Sequence, residues 1–531
     1  MSDLRPTTRV ARGATYVFIQ GFGNSMVGLI YFIFLAHAFS DSLEQWQMGA
    51  FALLSFVLVL AQTFGTFALS SAAVKYIAQY VGENALDKAK AVVARILQIS
   101  LLVSAVAFVA LFAPAEWLST MLFGTAGNAL LIRLLAFCSI FAILYLEGAS
   151  FLQGLQRMRE YSMVGLAYTF ISTTLGIILL LSGWRLLAVV IGWTVGYAVA
   201  SIACLVLTAK YLGLFGKPHP IKPLVNFSFP IYVSGCIGYF VGWVDQLLLV
   251  SYMGSLYGAT EAQRILGIYN VAIRASIVPT LFSTAIITAL FPLLASLYAQ
   301  QGQSSLQDAF RVSVRYSMLI GFPLIVGLAT LAYPIIILFG GWQYAEAVVP
   351  LVIVSISALF GTLGVAIGPI LYTLERTKIA SVLSFVSVVL SFVLSYFALA
   401  FLNLGMVGTA WGRTIAGVVS LLLGLYILKR YVPISIDREA LWKGLAACGF
   451  MVAVIFAVDL VRKFFTSSPY QFLVFDLYLL PIYVAVGGVA YFFSLVLLRG
   501  IRKGDVELLH EYVPRRFKPV VALLERLAVA K

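Results

Sequence analysis

The sequence predicts an all-α, polytopic membrane protein with about fourteen transmembrane helices. They form two six-helix lobes in a parallel pseudo-two-fold repeat, plus two extra C-terminal helices. Three observations carry this prediction. Of 531 residues, 62% are hydrophobic and only 11% charged, with mean hydropathy +1.01. A soluble domain averages about 25% charged residues, and only a bilayer takes up this much apolar surface. Next, about fourteen runs reach the ~20 apolar residues that a spanning helix needs. Finally, the chain resembles itself at an offset of about 220 residues, the kind of internal symmetry that transporters show.

The basic N-terminus, MSDLRPTTRVARGATYVFIQ, enters a span too long for a signal-peptide core and shows no cleavage site, so it reads as the first helix. Six spans complete the first lobe: 13–37, 48–72, 92–114, 129–152, 161–183 and 187–209. The second lobe repeats them at 228–252, 268–297, 313–338, 346–372, 379–401 and 405–428. Two more follow at 441–460 and 474–499, of which the first is short and runs into the polar VRKFFTSSPYQ. Division points are therefore 1–216 for the N-terminal lobe, 217–432 for the C-terminal lobe, 433–500 for the last two helices and 501–531 for the tail. That tail mixes apolar residues with Arg515, Arg516, Lys518 and Arg526. It reads as an amphipathic cytoplasmic segment lying on anionic lipid, with a partner-binding tail as the alternative.

Orientation follows from lysine and arginine. With the N-terminus inside, Arg133, Arg185, Arg264, Arg462 and Lys463 face outward, Arg274 and Arg413 lie in spans, and the rest of the 35 basic residues are cytoplasmic. Both termini are thus expected in the cytoplasm of a multi-pass cell-membrane protein. The net charge of +14 reflects this topology rather than nucleic-acid binding. The four cysteines lie in apolar runs without a CxxC pair, and the three histidines are far apart, so neither a disulfide framework nor a metal centre is expected. No GxxxxGK[ST] loop occurs, which argues against ATP hydrolysis and for a secondary or facilitated transporter rather than an enzyme.

The repeat is visible residue by residue. LQGLQRMREYS at 152–162 aligns with LYTLERTKIAS at 371–381, and ALSSAAVKYIAQ at 68–79 with ALFPLLASLYAQ at 289–300. Trp193 meets Trp411, and Phe123-Gly124 meets Phe339-Gly340. A six-helix unit keeps its orientation when repeated, so the two copies are parallel and related by an axis along the membrane normal. Rocking one lobe against the other gives alternating access.

SFPIYVSG (228–235), VDQLLLVSYMG (244–254), LGIYNVAIR (266–274), ALFPLLASLYAQQG (289–302), LFGGWQYAEAVVPLVIVS (338–355) and LQGLQRMREYS (152–162) together resemble the multidrug/oligosaccharidyl-lipid/polysaccharide exporter superfamily. Within it the chain is most similar to the polysaccharide transporters, over about residues 10–430. That resemblance implies twelve core helices around a central cleft and a polyprenyl-diphosphate glycan as substrate, flipped across the cytoplasmic membrane. It also implies membrane lipids and glycan-assembly enzymes as partners, and no nucleic acid. The last two helices resemble the fourteen-helix members, which include the lipid II flippases. Those proteins resemble each other in cationic residues in their first helix, whereas this one holds no charge after Arg12, a departure that argues against lipid II and leaves it as the alternative cargo.

Ionisable groups in spans are functional candidates by default. Asp245 and Arg274 fall at similar depth on consecutive spans and are expected as a gate or coupling pair, or as a buried structural ion pair. Arg274 also suits a diphosphate. Gln20 and Asn24, four apart on the first helix, can bond sugar hydroxyls or glue helices together. Lys75 and Arg157, near the cytoplasmic mouth, can receive a lipid diphosphate or anchor the topology. Glu147 and Arg413 lie within spans of different lobes and can line the cleft or staple helices. Asp245 and Glu147 can carry protons or sodium, and no other cofactor is expected. Three competitors stand beside the flippase: a cation-coupled multidrug exporter, a membrane-embedded glycosyltransferase and a static scaffold. The short outer links argue against the glycosyltransferase.

Overall fold

The computed structural model describes residues 6–41, 44–277, 279, 303–364, 366–374, 376–434, 437–466 and 474–500. Among them every regular element is helical. Thirteen helical stretches are long and apolar enough to cross a membrane. Most of the expected eighth span, 268–297, and all of the 501–531 tail lie outside the described residues. The chain resolves into two compact units, Met1–Asn270 and Val271–Lys531.

The first unit runs α1 (Pro6–Ala38), α2 (Trp46–Thr66), α3 (Leu69–Gly82), α4 (Leu86–Phe112), α5 (Ala115–Phe123), α6 (Ala129–Gly154), α7 (Met158–Leu181), α8 (Arg185–Tyr211), α9 (Ile221–Tyr257) and most of α10 (259–277). Helices in lipid gain nothing from hiding apolar side chains from one another, so close packing of small residues holds them. Gly192 and Gly196 of α8 lie on Ser172 of α7, where a Cβ at 192 would come within 2.6 Å of the Ser172 carbonyl. Gly148 of α6 meets Cys204 of α8 in the same way.

The expected second span, 48–72, is not one helix. Phe67 and Ala68 take left-handed backbone angles, φ 51° and 52°, and separate α2 from α3. Neither residue at the break is a glycine or proline, and Gly65 stands two positions before it. It is held from outside: the Phe67 ring stacks on Tyr232 of α9 at 4.3 Å, and the Ala68 carbonyl accepts from the Ser228 hydroxyl at 3.0 Å.

The second unit continues with α11 (Gln303–Thr330), α12 (Ala332–Gly340), α13 (Val348–Gly364), α14 (Ile367–Thr373), α15 (Thr377–Ala400), α16 (Gly405–Leu428), α17 (Arg438–Thr466) and α18 (Leu480–Leu497). Gly412 of α16 packs on the Ser395 backbone of α15, and the Thr414 hydroxyl donates to the Ile353 carbonyl of α13 at 3.1 Å. Phe310, Phe322, Met451 and Tyr483 share the core between α11, α17 and α18. The expected thirteenth span, 441–460, is longer than predicted. It runs on through the polar residues to Thr466, because Asp459 pairs with Arg462 and Lys463 one turn further along its own helix.

Candidate functional site

The polar residues of α1 are committed to α7. Gln20 is 7% exposed and fills the space beside Gly165, where a Cβ would lie 1.9 Å from its Nε2. The Asn24 Oδ1 accepts from the Thr169 hydroxyl at 2.9 Å. Both side chains, four apart on α1, thus meet α7. The Gln20 Oε1 keeps no hydrogen-bond partner, so that side chain retains an acceptor.

Beyond them lies an aromatic cluster that sequence reasoning missed. Tyr145 of α6, Tyr168 of α7 and Tyr197 of α8 meet with ring centroids 5.5, 5.7 and 4.3 Å apart. Gln62 of α2 donates to the Tyr197 hydroxyl at 3.0 Å. Four helices converge here, and no local spacing links four residues so far apart in the chain. Half-buried phenols beside the buried Gln62 amide are hydrogen-bonding chemistry without fixed charge.

Glu147 lies on α6, 1% exposed, with neither carboxylate oxygen hydrogen-bonded. Asp245 on α9 is fully buried and accepts from the Tyr269 hydroxyl of α10 at 2.8 Å. The neighbouring Gln246 accepts from Asn270 at 3.0 Å, so two rungs join α9 to α10. Arg274 is half-buried further along α10 and falls in the second unit, whereas Asp245 belongs to the first. Arg413 is half-buried on α16. A hydrogen bond to a carboxylate contributes about 1.5–3 kcal/mol. Tyr269→Phe removes one donor from Asp245 and is expected to lower stability by about that much. Thermal unfolding in detergent checks this, and an unchanged midpoint would show that the rung is idle.

Lys75 and Arg157 occupy separate aromatic seats. The Lys75 ammonium sits 4.0 Å from the Phe227 ring centroid, beside Tyr76. The Arg157 guanidinium lies 4.1 Å from the ring of Tyr211, whose hydroxyl donates to Glu160 at 3.0 Å. Around Lys75, His219 packs between Tyr76 and Tyr80, and its carbonyl accepts from Arg95 at 2.7 Å. The segment before α9 is thereby held against α3 and α4. The groups that sequence reasoning offered as phosphate receptors are stacked on aromatic faces, a favourable setting for a cation.

A family profile described as "Polysaccharide biosynthesis protein" matches residues 43–350. The chain is 25% identical over 235 residues to a "Probable low-salt glycan biosynthesis flippase" of Haloferax volcanii, covering 44% of this chain and 48% of that one. It is 27% identical over 259 residues to a teichuronic acid biosynthesis protein of Bacillus subtilis, covering 48% and 49%. The chain thus spans about half the length of the curated relatives it matches. Among solved structures it is similar to a lipid II flippase in an inward closed conformation, with TM-score 0.72, 17% identity and coverage of 91% and 98%. A transporter from Pyrococcus furiosus described as a member of the MOP superfamily gives TM-score 0.61, 14% identity and coverage of 80% and 96%. At these identities the likeness shows the shared fold.

Proposed function

The chain belongs to the polysaccharide biosynthesis protein family, and from that premise we propose that it is a flippase for a lipid-linked oligosaccharide. The cargo is a polyprenyl-diphosphate glycan, taken from the cytoplasmic to the outer leaflet by alternating access of two lobes. Both termini lie in the cytoplasm, and the partners are membrane lipids and the enzymes that assemble the glycan. The chain does no bond chemistry of its own. The observation that carries this reading is the polar and aromatic lining of the first unit, Gln20, Asn24, Gln62, Tyr145, Tyr168 and Tyr197, in which amides and phenols outnumber the one buried acid of α6, Glu147. Amides and phenols suit sugar hydroxyls, whereas a binder of cationic drugs is expected to centre on carboxylates. Arg274, Arg413, Lys75 and Arg157 supply positive charge for the diphosphate at other stages of the path.

The test is a reconstituted flipping assay. Purified protein enters vesicles that hold a fluorescent polyprenyl-diphosphate oligosaccharide, and wild type is compared with Arg274→Ala and Asp245→Asn. Flipping by wild type that falls about tenfold in Arg274→Ala supports a cationic path for the diphosphate. Loss confined to Asp245→Asn points to ion coupling. A wild type that moves no glycan but exports a cationic dye under a proton or sodium gradient makes the chain a drug exporter. Preference for lipid II over other polyprenyl glycans selects the lipid II reading.

A further inference from the structure

Glu147 sits where the second spanning helix is broken. Two contacts fix its level. A Cβ on Gly65 of α2 would lie 2.4 Å from Ile143 of α6, and a Cβ on Gly154 of α6 would lie 2.9 Å from Ile77 of α3 and 3.2 Å from the Ala73 carbonyl. Glu147 is one helical turn beyond Ile143, on the same face. It therefore comes to the level of residues 67–70, where α2 stops and α3 starts. Left-handed angles at Phe67 and Ala68 cost about 1 kcal/mol or more each, so the break persists only because its surroundings hold it.

A bare carboxylate in a bilayer-spanning unit must be neutralised. Neither oxygen of Glu147 has a hydrogen-bond partner. The basic groups on the surrounding elements are engaged elsewhere. α2 carries no charged residue. Lys75 of α3 lies over Phe227, and on α4 Lys88 lies over Tyr80, Arg95 bonds the His219 carbonyl and Lys90 lies beside Gly213. Arg133, on α6 itself, pairs with Glu116 of α5. Arg157, before α7, lies on Tyr211, Arg159 is exposed, and Glu160 accepts from Tyr211. On α8, Arg185 pairs with Glu44 and Lys210 is exposed at the far end. The other titratable groups that α6, α7 and α8 bring together, Tyr145, Tyr161, Tyr168, Tyr197 and Cys204, carry no positive charge.

We propose that Glu147 binds a monovalent cation, a proton or a sodium ion, and that occupancy of this site sets how α3 joins α2 and how α9 is seated. With the cation bound, the carboxyl group is neutral and the break stays as observed. With the cation gone, the anion is drawn to the amides at the start of α3, where the helix dipole is positive. A helix leaves its last carbonyls without intrahelical donors, and those of α2 are the oxygen ligands on offer to a sodium ion. Either change rotates residues 67–70. α9 is docked on that segment through Ser228 and Tyr232, so it must follow. The link to transport rests on the flippase reading, whereas the ion site does not.

Amide hydrogen exchange on the full chain in nanodiscs, with protons and sodium themselves as probes, tests this. If the ligand is a proton, exchange over 64–72 and 224–234, corrected for intrinsic rate, changes about threefold or more between acid and alkaline pH, whatever the sodium concentration. If it is sodium, the same change follows replacement of sodium by choline at fixed pH. Glu147→Gln abolishes the response, and so does Glu147→Leu, made in case the first variant fails to fold. A wild type indifferent to both ions overturns the proposal, as does a Glu147→Gln protein that responds like wild type. The readout does not involve flipping, so a failed ion site leaves the flippase reading standing. A working ion site in a protein that moves no glycan would overturn the flippase reading alone.

Discussion

Gly49→Val is expected to force α2 and α10 apart and, on the flippase reading, to lower flipping. A Cβ at position 49 would lie 1.9 Å from the Gln263 carbonyl oxygen, 2.6 Å from its carbon and 2.8 Å from its Cα. Facing it, a Cβ at Gly267 would lie 2.9 Å from the Gly49 nitrogen and 3.2 Å from the Gln45 carbonyl. The two helices cross backbone to backbone, as small residues allow in lipid. No rotamer relieves such a collision, because the neighbour is main chain. Overpacking costs about 1–3 kcal/mol where side chains can give way, and here the helices themselves must separate. The same crossing carries two further ties, Gln263 to the Leu122 carbonyl at 2.8 Å and Gly124 against Ala259. A cysteine pair at Leu53 and Leu266, which share one apolar cluster, reads the separation in a background without the four native cysteines. The disulfide forms with glycine at 49 and is lost in Gly49→Val, while flipping falls about tenfold or more. Gly49→Ala lies between. Full cross-linking together with full flipping in Gly49→Val would sink the argument.

That crossing shows what kind of information the sequence holds. The apolar, helical character of the spans was legible, because a bilayer imposes it on each segment separately, whereas their exact ends and the break in the second were not. So was the exporter fold, through the offset repeat and the order of the motifs. Tertiary features were not. The break at Phe67 and Ala68 carries no glycine or proline, and it depends on a stacking partner about 165 positions away. Of the candidate residues, Gln20 and Asn24 were found by their helical spacing, a local rule. The partners that hold them, Gly165 and Thr169, belong to another helix. The cluster of Tyr145, Tyr168 and Tyr197 gave no signal, since tyrosine is common here and each copy stands alone in its own span. Asp245 was visible as a lone acid in an apolar run, but its donor, Tyr269, was not.

Asp459→Ala destabilises the second unit by about 3–5 kcal/mol, the range for breaking a buried ion pair from one side. The Asp459 side chain is 3% exposed and faces Lys463 at 2.9 Å, itself 6% exposed. It also accepts from the Tyr483 hydroxyl of α18 at 2.7 Å and stands 3.5 Å from Arg462. Lys463 in turn donates to the Val474 carbonyl at 2.8 Å. One carboxylate thus ties α17 to α18 and lets α17 run on past the apolar stretch where the sequence suggested it would end. Truncation leaves a buried ammonium without this counter-charge, at a desolvation cost it no longer recovers. The control is Asp476→Ala. Asp476 also pairs with Arg462 but is 46% exposed, and an exposed pair contributes about 0–1 kcal/mol. Asp459→Asn keeps an acceptor for Tyr483 and loses only the charge, so it falls between the two. The double change Asp459→Leu with Lys463→Met removes both charges and recovers much of the loss, because a packed apolar pair replaces a buried ionic one at little net cost. Unfolding midpoints of the four proteins in one detergent decide the order. If Asp459→Ala unfolds no earlier than Asp476→Ala, the buried pair does not hold the last two helices, and the length of α17 needs another cause.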